Sequence, residues 1–314
     1  MGVKNVLTSC LVNAGNTGTG ICFTDIGMPR GVLFVPKGKI YSTSDVATLK
    51  AAIEADILAD NPAARVYPLN NIVAITDSTE APVIQSFNTG AKAIVRDGYY
   101  NIDLEWVQGG FCVLYALLKA RGKNQPFFIY TDKGLLIGTD AGTTDTPEQF
   151  KGINPVYVYP FPFTFSDGSK VTTYKVGLNF EPQQINQNIA FVDFNNDGGL
   201  GYLSGLNGLQ NVTLSQLAAP TSTVFTIAAK TSCGSVDLST EFSTELAVAG
   251  AWKVTNTSTG ANVTVSSVAA VAGGWALTVA TPPTSCTVSM AGPTELDGLD
   301  VSGYESNTII QLHA

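Results

Sequence analysis

Apolar residues recur at helical spacing in two stretches of the chain and at alternate positions in most of the rest. Val46, Leu49, Ile53 and Ile57 form one stripe, which predicts a helix over Ser44–Ala59. Ser42 or Ser44 could cap it, Ser42-Thr43-Ser44-Asp45 has capping-box spacing, and Asn61-Pro62 ends it. Phe111, Leu114, Tyr115 and Leu118 form a second stripe and predict a helix over Phe111–Arg121, entered from Gly109-Gly110 and stopped by Gly122. Both stripes read as core packing. Elsewhere the period is two. Ala91–Val95 and Tyr99–Val107 flank Asp97-Gly98, a pair suited to a hairpin turn. The second of these strands puts Tyr100, Ile102, Leu104 and Trp106 on one face and Asn101, Asp103 and Glu105 on the other. Val156–Phe165 and Val171–Phe180 form another hairpin through Ser166-Asp167-Gly168-Ser169, with Thr172, Tyr174, Val176, Leu178 and Phe180 on a shared face. Pro160 and Pro162 cannot donate ladder hydrogen bonds, so their arm belongs at a sheet edge or in a bulge.

The texture changes at Ala219-Pro220. Residues 220–300 carry no helix signal and read as short strands: Val224–Ala228, Glu245–Val248, Trp252–Thr255, Val263–Val268, Trp275–Val279 and Thr287–Met290. Trp252 and Trp275 are the core candidates of an immunoglobulin-like sandwich. The expected organisation is therefore mainly β. An α+β domain at 1–212, a twisted β-sandwich or barrel with one or two flanking helices, precedes an immunoglobulin-like domain at 220–314.

Composition narrows what such a chain can do. It has 314 residues, 45% of them hydrophobic and only 13% charged, against about 25% charged in ordinary domains. Little charge must be desolvated when such surfaces meet. The net charge of −8 argues against a protein that coats nucleic acid. The N-terminal stretch does not read as a secretion signal, and no segment has the apolar length of a membrane span. Cys10, Cys22, Cys112, Cys233 and Cys286 lack metal-ligand spacing and read as free thiols, with a Cys233–Cys286 pair as the alternative. The single histidine, His313, leaves no imidazole for a Ser-His-Asp or Cys-His mechanism. A non-enzymatic role is the expectation.

Asp193-Phe194-Asn195-Asn196-Asp197-Gly198 fits the first half of an EF-hand calcium loop, with Asp193, Asn195 and Asp197 as the candidate ligands. The bidentate Glu of position 12 is replaced by Ser204, and no acidic residue lies between Asp197 and Asp237. The competing reading is an Asx turn, which needs no metal. Gly138–Thr143 is glycine-rich but lacks a P-loop lysine, and reads as a loop after Leu135–Ile137. Asp103 and Glu105 share a strand face and could be drawn as an acid/base pair, though such carboxylates are usually solvated or ion-paired. Arg96 beside Asp97-Gly98 reads as half of an ion pair.

The order of elements in residues 60–192 resembles tailed-bacteriophage virion proteins, most closely the tail-tube (major tail) family. The resemblance is carried by NNIVAITDSTEAPVIQSF, AKAIVRDGYYNIDLEWVQGG, the helix FCVLYALLKARG, FFIYTDKGLLIGT, and KVTTYKVGLNF running to QQINQNIAFVDF. It implies hexameric rings that stack into a tube, inner sheets closing edge to edge, contacts with other virion proteins, and DNA passing through a weakly acidic lumen without specific binding. It also implies assembly in the host cytoplasm into the virion. The matching inter-ring segments here are residues 1–20 and Ser78–Gly98. The helix at Ser44–Ala59 departs from that pattern and leaves room for a capsid, decoration or tail-completion protein. A calcium-dependent surface adhesin is the alternative from another class.

Overall fold

The computed structural model describes residues 26–107, 110–142, 148–169, 171–182, 184, 188–221, 223–281 and 284–312. They fall into two compact units, one comprising 26–57 and 63–207, the other 58–62 and 208–312. The division comes before residue 212. The strand Gln210–Gln216 buries Val212 and Leu214 in the core of the second unit, so it starts that unit instead of ending the first.

The first unit has three layers. Its central sheet contains β1 (Pro29–Phe34), β2 (Ile40–Ser42), β3 (Tyr67–Leu69), β8 (Phe127–Thr131), β9 (Leu135–Asp140) and β10 (Gln149–Lys151), in the order β2-β10-β9-β8-β1-β3. A seventh strand, β13 (Ile189–Asp193), also pairs with β9. The middle strands are nearly continuous apolar runs because both of their faces are covered. Val32, Phe34, Phe127, Ile129, Ile137 and Phe191 enter one core, while Leu33, Val35, Phe128, Tyr130, Leu136 and Val192 enter the other.

The second of these cores is closed by helix α1 (Val46–Ile57), whose buried residues are Val46, Leu49, Ile53 and Ile57. The helical stripe is thus a packing face. Its cap is neither Ser42 nor Ser44. Asp45 takes that role, accepting from Thr48 N at 2.9 Å and from the Thr48 hydroxyl at 3.0 Å.

The other core is closed by a four-stranded antiparallel sheet, in the order β11 (Pro155–Pro160), β12 (Tyr174–Phe180), β7 (Tyr100–Trp106), β4 (Ile72–Asp77). Leu104, Trp106, Tyr174, Val176, Leu178 and Phe180 face inward, as their alternation required. β11 is an edge strand and carries a register shift between Pro155 and Tyr157. Helix α2 (Gly110–Ala120) inserts Leu114 into this core with Val113 and Leu117 beside it. Tyr115 and Leu118 do not join them. Both are exposed, so half of the expected stripe faces solvent.

The glycine-rich stretch from Gly138 is not simply a loop. β9 runs on to Asp140, and a Cβ on Gly138 would sit 2.7 Å from ring carbons of Phe128. Glycine is what lets that ring stack on Phe150, centroids 4.7 Å apart. Thr143 lies outside the described residues.

The second unit is a two-sheet sandwich. One sheet runs β18 (Val265–Val271), β19 (Gly274–Val279), β15 (Val224–Thr231), β14 (Gln210–Gln216), β21 (Tyr304–Ser306). The other runs β17 (Asn262–Val263), β16 (Trp252–Asn256), β20 (Ser285–Met290), β22 (Ile309–Leu312). In chain order the first sheet reads D-E-B-A and the second C′-C-F-G, the strand order of an immunoglobulin-like sandwich. The last strand is divided: β21 runs parallel to β14, and β22 pairs with β20 in the opposite sheet. Trp252 and Trp275 meet in the core with ring centroids 5.6 Å apart. Glu245–Val248 is turn instead of strand, because buried Leu246 offers its carbonyl to Trp252 Nε1 at 2.7 Å.

Cysteine use also differs from expectation. Cys112 and Cys233 are each disulfide-bonded, and Cys286 keeps a thiol, buried on β20 between β16 and β22, which rules out a Cys233–Cys286 pair. Cys10, Cys22 and His313 lie outside the described residues.

Candidate interaction surface

A long antiparallel arm grows out of the four-stranded sheet. β4 and β7 pair from Ile72–Trp106 to Asp77–Ile102. Beyond them the chain continues into β5 (Val83–Ser86) and β6 (Lys92–Arg96), which among the described residues pair only with each other. The turn is at Asn88-Thr89-Gly90, where Gly90 has φ 80° and donates to the Phe87 carbonyl at 2.9 Å. Asp97-Gly98 is therefore not the hairpin turn. β6 and β7 are successive parts of one side of the arm, and Gly98 lies where the two sides press together. A Cβ there would collide with the Glu80 carbonyl. Backbone bonds from Ser78 N to Asn101 O (2.9 Å) and from Glu80 N to Tyr99 O (3.0 Å) carry the pairing across this joint. Arg96 does form an ion pair, with Glu80 at 3.2 Å.

The outer arm has no core of its own. Every residue of β5 and β6 is exposed, including Ile84 (54%), Ile94 (65%) and Val95 (59%), and Phe87 stands exposed at the tip. A two-stranded ribbon in water is marginal by itself. Further exposed apolar side chains gather around the same sheet: Val156 and Tyr157 on β11, Tyr115 and Leu118 on α2, and Phe165 (81%) and Val171 on the hairpin that joins β11 to β12. That hairpin turns through Ser166–Ser169 as its sequence suggests, with Gly168 at φ 87° and Ser169 N donating to Asp167 Oδ1 at 3.0 Å. Of the twenty large apolar side chains exposed among the described residues, sixteen belong to the first unit. The exposed apolar side chains are therefore concentrated in the first unit, many of them on the arm and the edge strands of one sheet.

The outward face of that sheet carries paired polar groups, with the Phe161 ring lying over Gly177 beside them. Glu105 meets Lys175 at 2.7 Å, and this hydrogen bond raises the Lys175 pKa above its ordinary value. Asn179 donates to Asn101 across the ladder. Asp103 lies opposite Gly177 on β12 and Thr76 on β4. Asp103 and Glu105 are thus neighbours on a strand, with one of them engaged by a lysine. Tyr159 and Phe161 sit edge to face at 5.1 Å, with Arg121 over the Tyr159 ring at 4.7 Å. These contacts tie the end of α2 to the sheet.

Asp193, Asn195 and Asp197 lie in one tight turn. Asp193 closes β13, Asn195 and Asp197 fall in a single 3-10 turn, and helix α3 (Gly199–Gly205) follows. Asp193 Oδ1 accepts from Asn195 N at 2.9 Å, forming an Asx turn. The Asp197 carbonyl accepts from Lys50 Nζ at 2.9 Å, so an ammonium already bonds one of the loop's backbone oxygens. A strand and a two-turn helix flank the loop, where an EF-hand has two full helices. Among the described residues no cluster of three His, Cys, Asp or Glu side chains forms a metal site.

A polar cleft of about 360 Å³ lies between the ends of β9, β10 and β12, lined by Asp140, Lys151, Asn154, Glu181 and Asn188 among others. Gln184 and Asn154 close part of it by exchanging two hydrogen bonds, at 2.7 and 2.6 Å. No helix of the described residues is long and apolar enough to cross a membrane. Comparison with protein families, with curated proteins and with solved structures returns no match for this chain.

Proposed function

We propose that the chain is a non-enzymatic, self-assembling structural protein of a tailed-phage virion, and that its first unit forms stacked rings of a tail tube. The observation that carries this reading is the exposed apolar arm at Val83–Arg96, set on a sheet whose two edge strands, β4 and β11, pair with no further strand among the described residues. An open edge on each side suits heterologous, head-to-tail pairing, which closes into a ring when the rotation allows. Six four-stranded sheets joined in this way would line a continuous barrel without free edges. Its inward face would be the one that carries Asn101, Asp103, Glu105 and Lys175. One lysine against two carboxylates on that face gives a surface along which DNA would slide without adhering. Ser78–Gly98 supplies the inter-ring contact, and the segment 1–20, the other expected contact, lies outside the described residues. The immunoglobulin-like unit then decorates the tube.

Electron microscopy of the purified chain at rising concentration tests this. The expected result is rings or tubes on the order of 100 Å wide, the width that six units of this size give. Particles of single-chain size at every concentration would contradict it.

A further inference from the structure

An inward-facing position of the central sheet carries a charge. Lys151 on β10 lies directly opposite Thr139 on β9, and Thr139 lies opposite Ile189 on β13. Alternation puts all three on the face that carries Ile137, Ile153 and Phe191, the face that packs against the four-stranded sheet. Thr139 is buried, and its hydroxyl bonds to the carbonyls of Lys151 and Gly152, both at 3.3 Å. The Lys151 ammonium has no such outlet. Among the described residues it has neither an ion-pair nor a hydrogen-bond partner. Lys151 and Thr139 both line the cleft of about 360 Å³, so the interior between the two sheets opens there into a polar space. An unpaired lysine at the end of an apolar core costs stability and packs nothing, which marks the position as a candidate for binding.

Other polar groups of the cleft are uncommitted as well. The Glu181 carboxylate and the side-chain amides of Asn154 and Asn188 make no hydrogen bond among the described residues, while Gln184 fixes the wall through the Asn154 backbone. The set combines a group that only donates, a group that only accepts, and two amides that do both. Asp140 adds a second carboxylate. An anion drawn to Lys151 would therefore face two negative charges, and a cation would face Lys151. Neutral hydroxyls suit both signs. Each donates once and accepts twice, so neighbouring hydroxyls of one ring can accept from Lys151 and donate to Glu181. Pro155 and Val156 supply a short apolar wall for the C–H face of such a ring. The volume falls near the lower end of the range of about 300–1,000 Å³ for small-molecule sites.

We infer that the cleft binds a neutral saccharide of one or two rings. Lys151 donates to its hydroxyls, Glu181 accepts from them, and Asn154 and Asn188 do both. This capability goes beyond the structural role above and holds whether or not the chain assembles.

Saturation-transfer difference NMR of the full chain tests it, with glucose, galactose, mannose, N-acetylglucosamine, maltose, lactose and cellobiose as probes. At least one should receive saturation through its ring protons. Lys151→Met keeps the stem and removes the ammonium, and Glu181→Gln removes a charge at an exposed position. Neither group has a partner to lose, so both variants should melt no lower than the wild type. Each should raise the Kd of the bound sugar about tenfold, the worth of one hydrogen bond to a charged group. If Lys151→Met fails to fold, Glu181→Gln alone decides. No transfer to any of these sugars would overturn the inference. Equal binding by wild type and variants would overturn it too, because the sugar would then sit elsewhere on the chain. Transfer to glycine or glutamate with none to the sugars would show a site for zwitterions and overturn it as well.

Discussion

Trp275 and Trp252 sit at the centre of a sandwich in which both sheets turn their large side chains toward each other. β18, its long outer strand, exposes small residues such as Ser266, Ser267, Ala269 and Ala270. In the first unit, by contrast, the four-stranded sheet packs one face just as well, yet isoleucine, valine, tyrosine and phenylalanine stand in solvent along its edges and on its arm. Burial inside each unit is similar in kind. The difference lies at the margins: one unit ends mostly in small and polar residues, with Val271 exposed at the end of β18, and the other in many large apolar ones. In the proposed assembly, these apolar margins are the surface by which the unit would meet further chains.

The largest expected effect lies in the closed unit. Trp275→Ala should cost about 3–5 kcal/mol by opening a cavity against Trp252, Leu277 and Phe225. Calorimetry should show the second unit melting far earlier, with assembly of the first unassisted by the change. At the root of the arm, Gly98→Val forces a side chain into the Glu80 carbonyl and should cost about 1–3 kcal/mol locally. Hydrogen exchange should accelerate at Glu80 and Tyr99 but not in the sandwich strands; a uniform acceleration would mean that the arm is not a separate element.

Smaller effects probe the polar face and the caps. Lys175→Met removes the partner of Glu105 and should lower stability by about 0.5–1 kcal/mol, less in high salt. Because the Lys175 pKa is raised in the folded chain, this contribution is present below about pH 10 and disappears as pH rises through the higher folded value. The smallest change is Asp237→Ala. Asp237 caps the short helix α4 (Leu238–Glu241) by accepting from Ser239 N at 3.0 Å, and its loss should cost about 1 kcal/mol. The Ser239 hydroxyl holds this carboxyl below its ordinary range, so the gap between wild type and variant should be full above about pH 5 and close as pH falls below about 4. A chemical melt read through tryptophan fluorescence would follow it through Trp252 and Trp275, with the buried Trp106 reporting on the first unit.

Much of this contrast was legible in the residue pattern, and its failures share a cause. The α1 stripe, the alternation of β7 and β12, the Ser166–Ser169 turn and the two core tryptophans follow from periodicity and turn chemistry alone. Asp97-Gly98 misled because the same dipeptide suits a tight turn and a tight strand crossing, and only the neighbour at Glu80 distinguishes them. Tyr115 and Leu118 misled because a helical stripe does not say how wide the groove beneath it is. Gly138 read as loop because the Phe128 ring that requires it lies ten residues away. The arm itself carried a signal that was passed over: VIQSF and KAIVR flank a Gly90 turn with apolar residues at consecutive positions, a pattern that fits neither a one-faced strand nor a loop.

Sedimentation velocity of the full chain across a wide concentration range tests the central claim most directly. Self-association through the first unit predicts a mass that grows with concentration in whole multiples of 32.9 kDa. A single species of 32.9 kDa throughout, with the arm's apolar residues still open to solvent, would contradict it.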